Sequence, residues 1–310
     1  MSNEALESTG MLERLFRLRE NGTTVRTELR AGLVTFLTMS YIIFVQPAVL
    51  SQAGMDFGAV MAATCIAAAV ATIMMGLFAN YPIALAPGMG ENFFFAFTVV
   101  VGMHVSWQVA LGAVFLSGVA FLALSAVRLR EMVIEAIPAS LQHAIAAAIG
   151  IFIAFIGLQQ AGIVVGNPGS LVQLGDVRQA PVLLALAGLA ITSVLLIRNV
   201  KGAILWGMLA TALLGLPFGL VEYHGLVSSP PSIAPTLFAM DVKGALALPL
   251  ITFIFLYMVL FDTVGTVIGV SAQAGFLKDG KIPRAGRVLM TDAVASSLRL
   301  FAAANQSQTT

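Results

Sequence analysis

Hydrophobic residues in this chain come in long unbroken runs, and the polar residues gather between them. A helix needs about 20 apolar residues to cross the hydrocarbon of a bilayer. Read at that length, the runs predict eight helical spans, at 31–50, 58–79, 83–101, 107–127, 138–162, 180–197, 202–219 and 247–272. A ninth run opens near Val288 and is interrupted by Arg299. The runs do not alternate with period two, so they read as helices, one of the two structures that satisfy their own backbone in lipid. The first 30 residues mix five acids with five arginines and read as an amphipathic segment lying at the membrane surface. The pattern therefore predicts an all-α integral membrane protein with about eight spans and a partial ninth.

Composition sharpens that picture. Of 310 residues, 59% are hydrophobic and 10% are Asp, Glu, Lys or Arg, against about 25% charged in a soluble domain. A soluble enzyme, a disulfide scaffold and a nucleic-acid binder are excluded, and no nucleic acid is expected as a partner. The lone cysteine, Cys65, lies inside an apolar run, so no disulfide, metal cluster or cofactor is expected. Charge sets the orientation. With the N-terminus in the cytoplasm, the inside segments hold Arg14, Arg17, Arg19, Arg26, Arg30, Arg128, Arg130, Arg198, Lys201, Lys278, Lys281, Arg284 and Arg287. The outside loops hold Arg178 and Lys243. Basic residues concentrate on the cytoplasmic side of membrane proteins, and adding or dropping one span would scramble the alternation.

Function is sought in the polar groups that lie where lipid should be. Asp262 falls near the middle of the eighth span, in Leu256-Tyr-Met-Val-Leu-Phe-Asp-Thr-Val-Gly-Thr266. An acid at that depth costs at least about 2.5–3.5 kcal/mol and must face protein or water. It reads as a group that accepts from a ligand's N–H groups or carries a proton, with a structural acid bonded to backbone as the alternative. Thr263 and Thr266 share a face near it, and Gly265 and Gly269 form a strip for close helix packing. The third span opens Tyr81-Pro-Ile-Ala-Leu-Ala-Pro-Gly-Met-Gly-Glu-Asn92, and Pro82, Pro87, Gly88 and Gly90 break it. A half-helix is expected to start at about Asn92, with its N–H groups and positive dipole end aimed into a cavity. Glu91 is read either as lining that cavity or as capping the half-helix.

Other polar residues carry weaker signals. His104 and His143 read as interfacial or core histidines, and Gln159 and Gln160 as headgroup contacts. Gln46-Pro47 offers a slight indication that the first span bends toward the same cavity. The Phe93–Phe97 cluster reads as lipid-facing or core packing, with one ring available to stack on a flat ligand. A broken helix with a mid-membrane acid is a transporter pattern, substrate lying between discontinuous segments of two repeats. An intramembrane aspartyl protease using Asp262 and Asp292 would need a Gly-x-Gly-Asp motif, which this chain lacks, so no enzyme is expected.

The motif Ala86-Pro-Gly-Met-Gly-Glu-Asn92 resembles the third-helix motif of the purine nucleobase permeases of the guanine/hypoxanthine/adenine type, a branch of the nucleobase–cation symporters with the xanthine/uracil permease fold. Phe261-Asp-Thr-Val-Gly-Thr266 resembles the eighth-helix motif of that family, and Thr35-Phe-Leu-Thr-Met-Ser-Tyr-Ile-Ile-Phe-Val-Gln-Pro47 its first helix. Asn21-Gly-Thr-Thr24 and Thr27-Glu-Leu-Arg-Ala-Gly32 look like its opening, and the likeness runs from about Leu12 to Ser297. The resemblance implies a seven-plus-seven inverted-repeat fold, of which this chain holds the first repeat and the start of the second. It implies core-domain helices 1–4 at 31–127, gate-domain helices 5–7 at 138–219 and the opening of the second repeat at 247–297. It also implies proton symport of a purine nucleobase across the cell membrane, the core moving against the gate. The site residues so implied are Gly90, Asn92, Asp262 and Thr266, with Asp262 coupling the base to the proton. The expected partners are the purine, the proton and the lipid bilayer, with a homodimer left open.

Two departures from the family pattern stand out. Many relatives carry an apolar residue and then Ala-Tyr where this chain has Glu91 and Phe93-Phe94, which bears on substrate preference. After Ser297 the tail 298–310 is unlike the family's ninth and tenth helices, so the chain is expected to be truncated. The alternatives are a transporter fragment without activity and an anion carrier of the same fold.

Overall fold

The computed structural model describes residues 11–126, 139–221, 229–236, 239–273 and 291. Its helices are α1 (Met11–Phe16), α2 (Val25–Met39), α3 (Ile42–Ser51), α4 (Phe57–Met74), α5 (Met89–Phe93) and α6 (Trp107–Ala126). There follow α7 (Ala139–Gln160), the strands β1 (Val164–Asn167) and β2 (Leu171–Leu174), α8 (Ala180–Ile197), α9 (Ala203–Gly215), α10 (Val242–Leu246) and α11 (Pro249–Gln273). Wider π-type turns extend α4 over Met75–Ala79 and α5 over Phe94–Gly102. Four helical stretches are long and apolar enough to cross a membrane: Val25–Ser51, Phe57–Ala79, Trp107–Ser125 and Ala180–Ile197. Four shorter apolar ones are Met89–Gly102, Gly150–Gln160, Ala203–Phe218 and Pro249–Asp262. Each of these overlaps one of the eight apolar runs of the sequence, four of them at less than spanning length; the ninth run lies outside the described residues apart from the helical Thr291.

The chain divides into two compact units. One comprises 1–28, 43–144 and 231–310. In it Asp56 caps α4, its Oδ1 accepting from the Ala59 N–H at 2.7 Å. The helix ends at Asn80, whose φ of 47° places it in the left-handed region. From Tyr81 to Gly88 the backbone is not helical. Its alternate residues Tyr81, Ile83 and Leu85 are buried and cluster with Ala71, Met75 and Ala79 of the preceding helix. Period-two burial is what an extended segment on an apolar surface requires. The Thr72 hydroxyl satisfies Leu85 at both ends, accepting from its N–H at 3.1 Å and donating to its carbonyl at 3.3 Å. This backbone has no strand partner, and a side chain supplies the bonds that a buried backbone needs. Elsewhere in the unit Phe121 of α6 packs with Val259 and Leu260 of α11, flanked by Leu122 and Leu256.

The other unit comprises 29–42 and 145–230. Its centre is the α8–α9 pair. Gly188 of α8 faces Thr211 of α9, and Gly207 of α9 faces Thr192 of α8. A Cβ on Gly188 would stand 2.9 Å from the Thr211 methyl, and one on Gly207 2.9 Å from the Thr192 Cβ. Each threonine donates back to the glycine carbonyl one turn earlier in its own helix, at 2.8 Å for Thr192 and 2.7 Å for Thr211. Small residues with self-bonded hydroxyls let two helices approach closely where no water is available.

Three local expectations need correction. The first span is not one helix: α2 stops at Met39 and α3 starts at Ile42, with Ser40 and Tyr41 in a turn. Hydroxyls upstream explain the break, since Thr35, Thr38 and Ser40 donate to the carbonyls of Ala31, Val34 and Leu37, and such back-bonding bends helices. The half-helix starts at Met89 rather than at about Asn92, because Gly88 adopts the extended conformation of an N-cap. The chain is also not all α. A two-stranded antiparallel hairpin pairs Val164 with Leu174 and Asn167 with Leu171. Its turn is built by Asn167, whose Oδ1 accepts from Gly169 N–H at 2.7 Å and Ser170 N–H at 3.2 Å.

Candidate functional site

The start of α5 gathers the polar groups of the first unit. Gly88 is the N-cap residue, and the first N–H groups of a helix have no partner within it. They carry the positive end of the helix dipole, which favours a carboxylate. The Asp262 carboxylate lies there: a Cβ on Gly88 would stand 3.0 Å from its Oδ2 and 3.5 Å from the Glu91 carboxyl carbon. Glycine leaves this room, and a methyl here would push the carboxylate back by a few tenths of an ångström. Glu91 is half-buried, whereas Asp262 is exposed.

Aromatic packing fixes α11 against α5. Phe255 is fully buried, meets Phe94 edge-on at 5.3 Å between ring centres, and meets Phe95 at 6.5 Å. Phe255, Val259 and Asp262 recur at the spacing of one helix face, so the ring contact two turns earlier sets the depth at which Asp262 meets Gly88. Tyr257 and Phe261, centred 4.3 Å apart and tilted by 50°, meet along the same helix. Phe93 stacks on Phe97 at 5.8 Å, and both Phe93 and Phe95 are buried, so these two rings pack the interior rather than face lipid.

One turn into α5, the Asn92 side chain bonds across to the first apolar segment, its Nδ2 donating to Oε1 of Gln46 on α3. Gln46 is buried, and Pro47 beside it is fully buried inside the helix. The slight indication at Gln46-Pro47 therefore falls on a side chain bonded to Asn92. Gly90 sits half-buried in the first turn of α5. Thr266 is helical, one turn beyond Asp262 on α11, and its side chain lies outside the described residues, as does that of His143. His104 ends the third span at the surface, exposed and with a φ of 55°. Gln159 and Gln160 are exposed at the end of α7. Among the described residues no group of three or more His, Cys, Asp or Glu could hold a metal ion. Sequence reasoning missed Thr72 and Phe255. Thr72 is one of two threonines inside α4, and Phe255 lies seven residues before Asp262 on the same helix face, but neither spacing names the partner each one meets.

The arrangement offers an acceptor carboxylate, an amide that donates and accepts, and helix N–H groups, all at the end of a broken helix. That set suits an uncharged ligand rich in both donors and acceptors. Residues 26–304 match the model of a permease family, the xanthine/uracil permeases. The chain is 48% identical over 290 residues to the adenine permease AdeP of Escherichia coli, covering 93% of this chain and 65% of that protein. It is 45% identical over 304 residues to the adenine permease AdeQ of the same organism, covering 97% and 68%. It is 44% identical over 314 residues to the guanine/hypoxanthine permease PbuG of Bacillus subtilis, covering 96% and 71%. The chain thus spans about two thirds of the length of the curated relatives it matches. On this likeness, and with its apolar helices, the chain is a multi-pass membrane protein that belongs to this permease family, a family of transporters and not of enzymes.

Proposed function

We propose that the chain binds a purine nucleobase at the start of α5 and takes part in its proton-coupled transport across the cell membrane. In this reading Asp262 accepts from the N–H groups of the base and carries the coupling proton, Asn92 pairs with its edge, and Gly90 and Thr266 complete the wall. Eight spans cross the bilayer with the N-terminus in the cytoplasm, the unit bearing α5 and α11 acts as the moving core, and the α8–α9 unit belongs to the gate. The observation that carries the reading is the Asp262 carboxylate lying against Gly88 at the end of a broken helix, one turn from the Asn92 amide. A nucleobase presents alternating donors and acceptors, and a carboxylate with a carboxamide is the side-chain set that reads such an edge. The names of the adenine and guanine/hypoxanthine permeases among its relatives support the substrate class. An anion is disfavoured, because Asp262 already occupies the positive end of α5 with negative charge.

The test is Asp262→Asn, read by labelled adenine and hypoxanthine uptake in cells expressing the chain and by purine binding to purified protein in nanodiscs. Loss of a charge-assisted hydrogen bond predicts binding weaker by about 10- to 100-fold, with membrane insertion unchanged. Unaltered affinity would remove Asp262 from the base, and normal pH-dependent uptake would remove it from proton coupling.

A further inference from the structure

A primary amide has two polarities: turning it over exchanges its donor and its acceptor. Asn92 does not turn alone, because its Nδ2 donates to Gln46 Oε1. A half-turn of Asn92 by itself would set two acceptor oxygens against each other, so the two amides can reverse only together. Gln46 is 6% exposed and followed by the fully buried Pro47, so a reversed pair could not draw on water for the bond it gives up. The bond uses one of the two Asn92 N–H groups and leaves Oδ1 and the second N–H for a ligand, in a fixed order.

Purines come in two edge polarities. A 6-aminopurine shows an amino donor beside a ring-nitrogen acceptor, whereas a 6-oxopurine shows a carbonyl acceptor in place of the amino group. A freely turning amide pairs with either, but a locked one pairs fully with one. Resting on the purine reading above, we propose that Gln46 is a positioning residue that sets the discrimination between 6-amino and 6-oxo purines by holding the Asn92 carboxamide in one orientation. It touches Asn92 and acts through it.

The test compares adenine and hypoxanthine affinity in nanodiscs for wild type, Gln46→Met and Gln46→Glu, each checked for folding by its thermal transition. Wild type should prefer one base. Gln46→Met keeps the length and apolar stem but lacks the acceptor oxygen, and should bring the affinity ratio toward one by about tenfold, the discrimination a single neutral hydrogen bond carries. Gln46→Glu keeps a carbonyl-type acceptor whether or not it is protonated, and should restore the wild-type ratio to within about twofold. A merely structural Gln46 would weaken both bases equally and leave the ratio unmoved, which would overturn the proposal. So would a wild type that binds the two equally, or a folded Gln46→Glu that loses the ratio. Failure of wild type to bind either base would defeat the purine reading, and this inference with it.

Discussion

Glycine and threonine serve opposite ends in the two units. In the α8–α9 pair, Gly188 and Gly207 make room for the threonines of the facing helix, and Thr192 and Thr211 spend their hydroxyl protons on their own helices. Both hydroxyl protons stay inside their own helices, and the result is a close contact. At the start of α5 the same residue types open the structure. Gly88 makes room for a carboxylate, and Thr72 spends its hydroxyl on the backbone of a segment that is not helical. Small and hydroxylated residues in an apolar helix are thus ambiguous by type. What separates packing from a site is whether the hydroxyl bonds inside its own helix or across to broken backbone, and whether the glycine faces a hydroxyl or an acid.

The largest effect expected from this contrast lies in the packed pair. Gly207→Ala would place a methyl 2.9 Å from the Thr192 Cβ and 3.2 Å from its Cα. The nearest atoms include backbone, so the helices must separate. Overpacking of this kind predicts a loss of about 2–3 kcal/mol, measured by reversible unfolding in denaturing detergent. A loss below about 0.5 kcal/mol would mean that the two helices are not held this closely.

Next in size is the hydroxyl of Thr72. Thr72→Val conserves shape but leaves both the N–H and the carbonyl of Leu85 without this partner, for an expected loss of about 2 kcal/mol. Thr192→Val is the matched control. It removes a bond to the Gly188 carbonyl, which has its helical bond as well, and should cost under about 0.5 kcal/mol. Equal losses in the two variants would erase the distinction between a hydroxyl that bridges and one that bonds inside its helix.

Much of the architecture was legible because an apolar run is a long-range property that needs no partner to be recognised. The eight runs, the interruption at Pro82, Pro87 and Gly88, and the acid at position 262 are all visible as composition against a uniform background. Positions governed by pairing were not. Thr72 bonds a residue 13 positions away, and Phe255 meets Phe94 from a distant helix; no periodicity encodes either meeting. The break at Ser40–Tyr41 lies inside an unbroken apolar run, and its cause is three hydroxyls, Thr35, Thr38 and Ser40, that each bond backward to a carbonyl. The half-helix start was placed three residues late because Gly88 and Gly90 were read as breakers together. Gly88 alone takes the extended cap position, and Gly90 is already helical. The hairpin had a signal in Asn167-Pro-Gly-Ser170, a turn sequence between short β-branched and apolar stretches.

The smallest predicted effect is also the most selective. Gly88 has a φ of −69° and a ψ of 117°, a conformation that alanine adopts without strain. The methyl of Gly88→Ala would stand 3.0 Å from Asp262 Oδ2 and 3.5 Å from the Glu91 carboxyl carbon. Both are side chains, and the exposed Asp262 can retreat by a few tenths of an ångström. The fold should therefore be unchanged to within about 0.5 kcal/mol. The carboxylate, however, would be displaced from the helix end that orients it. Purine affinity should fall by about tenfold, the cost of one mispositioned hydrogen bond. Gly88→Ala and Gly207→Ala are then opposites: one spares stability and weakens the ligand, the other weakens the fold. If Gly88→Ala bound purines normally, the carboxylate's place over the α5 end would not matter to the ligand, and Gly88 would join Gly207 as packing alone.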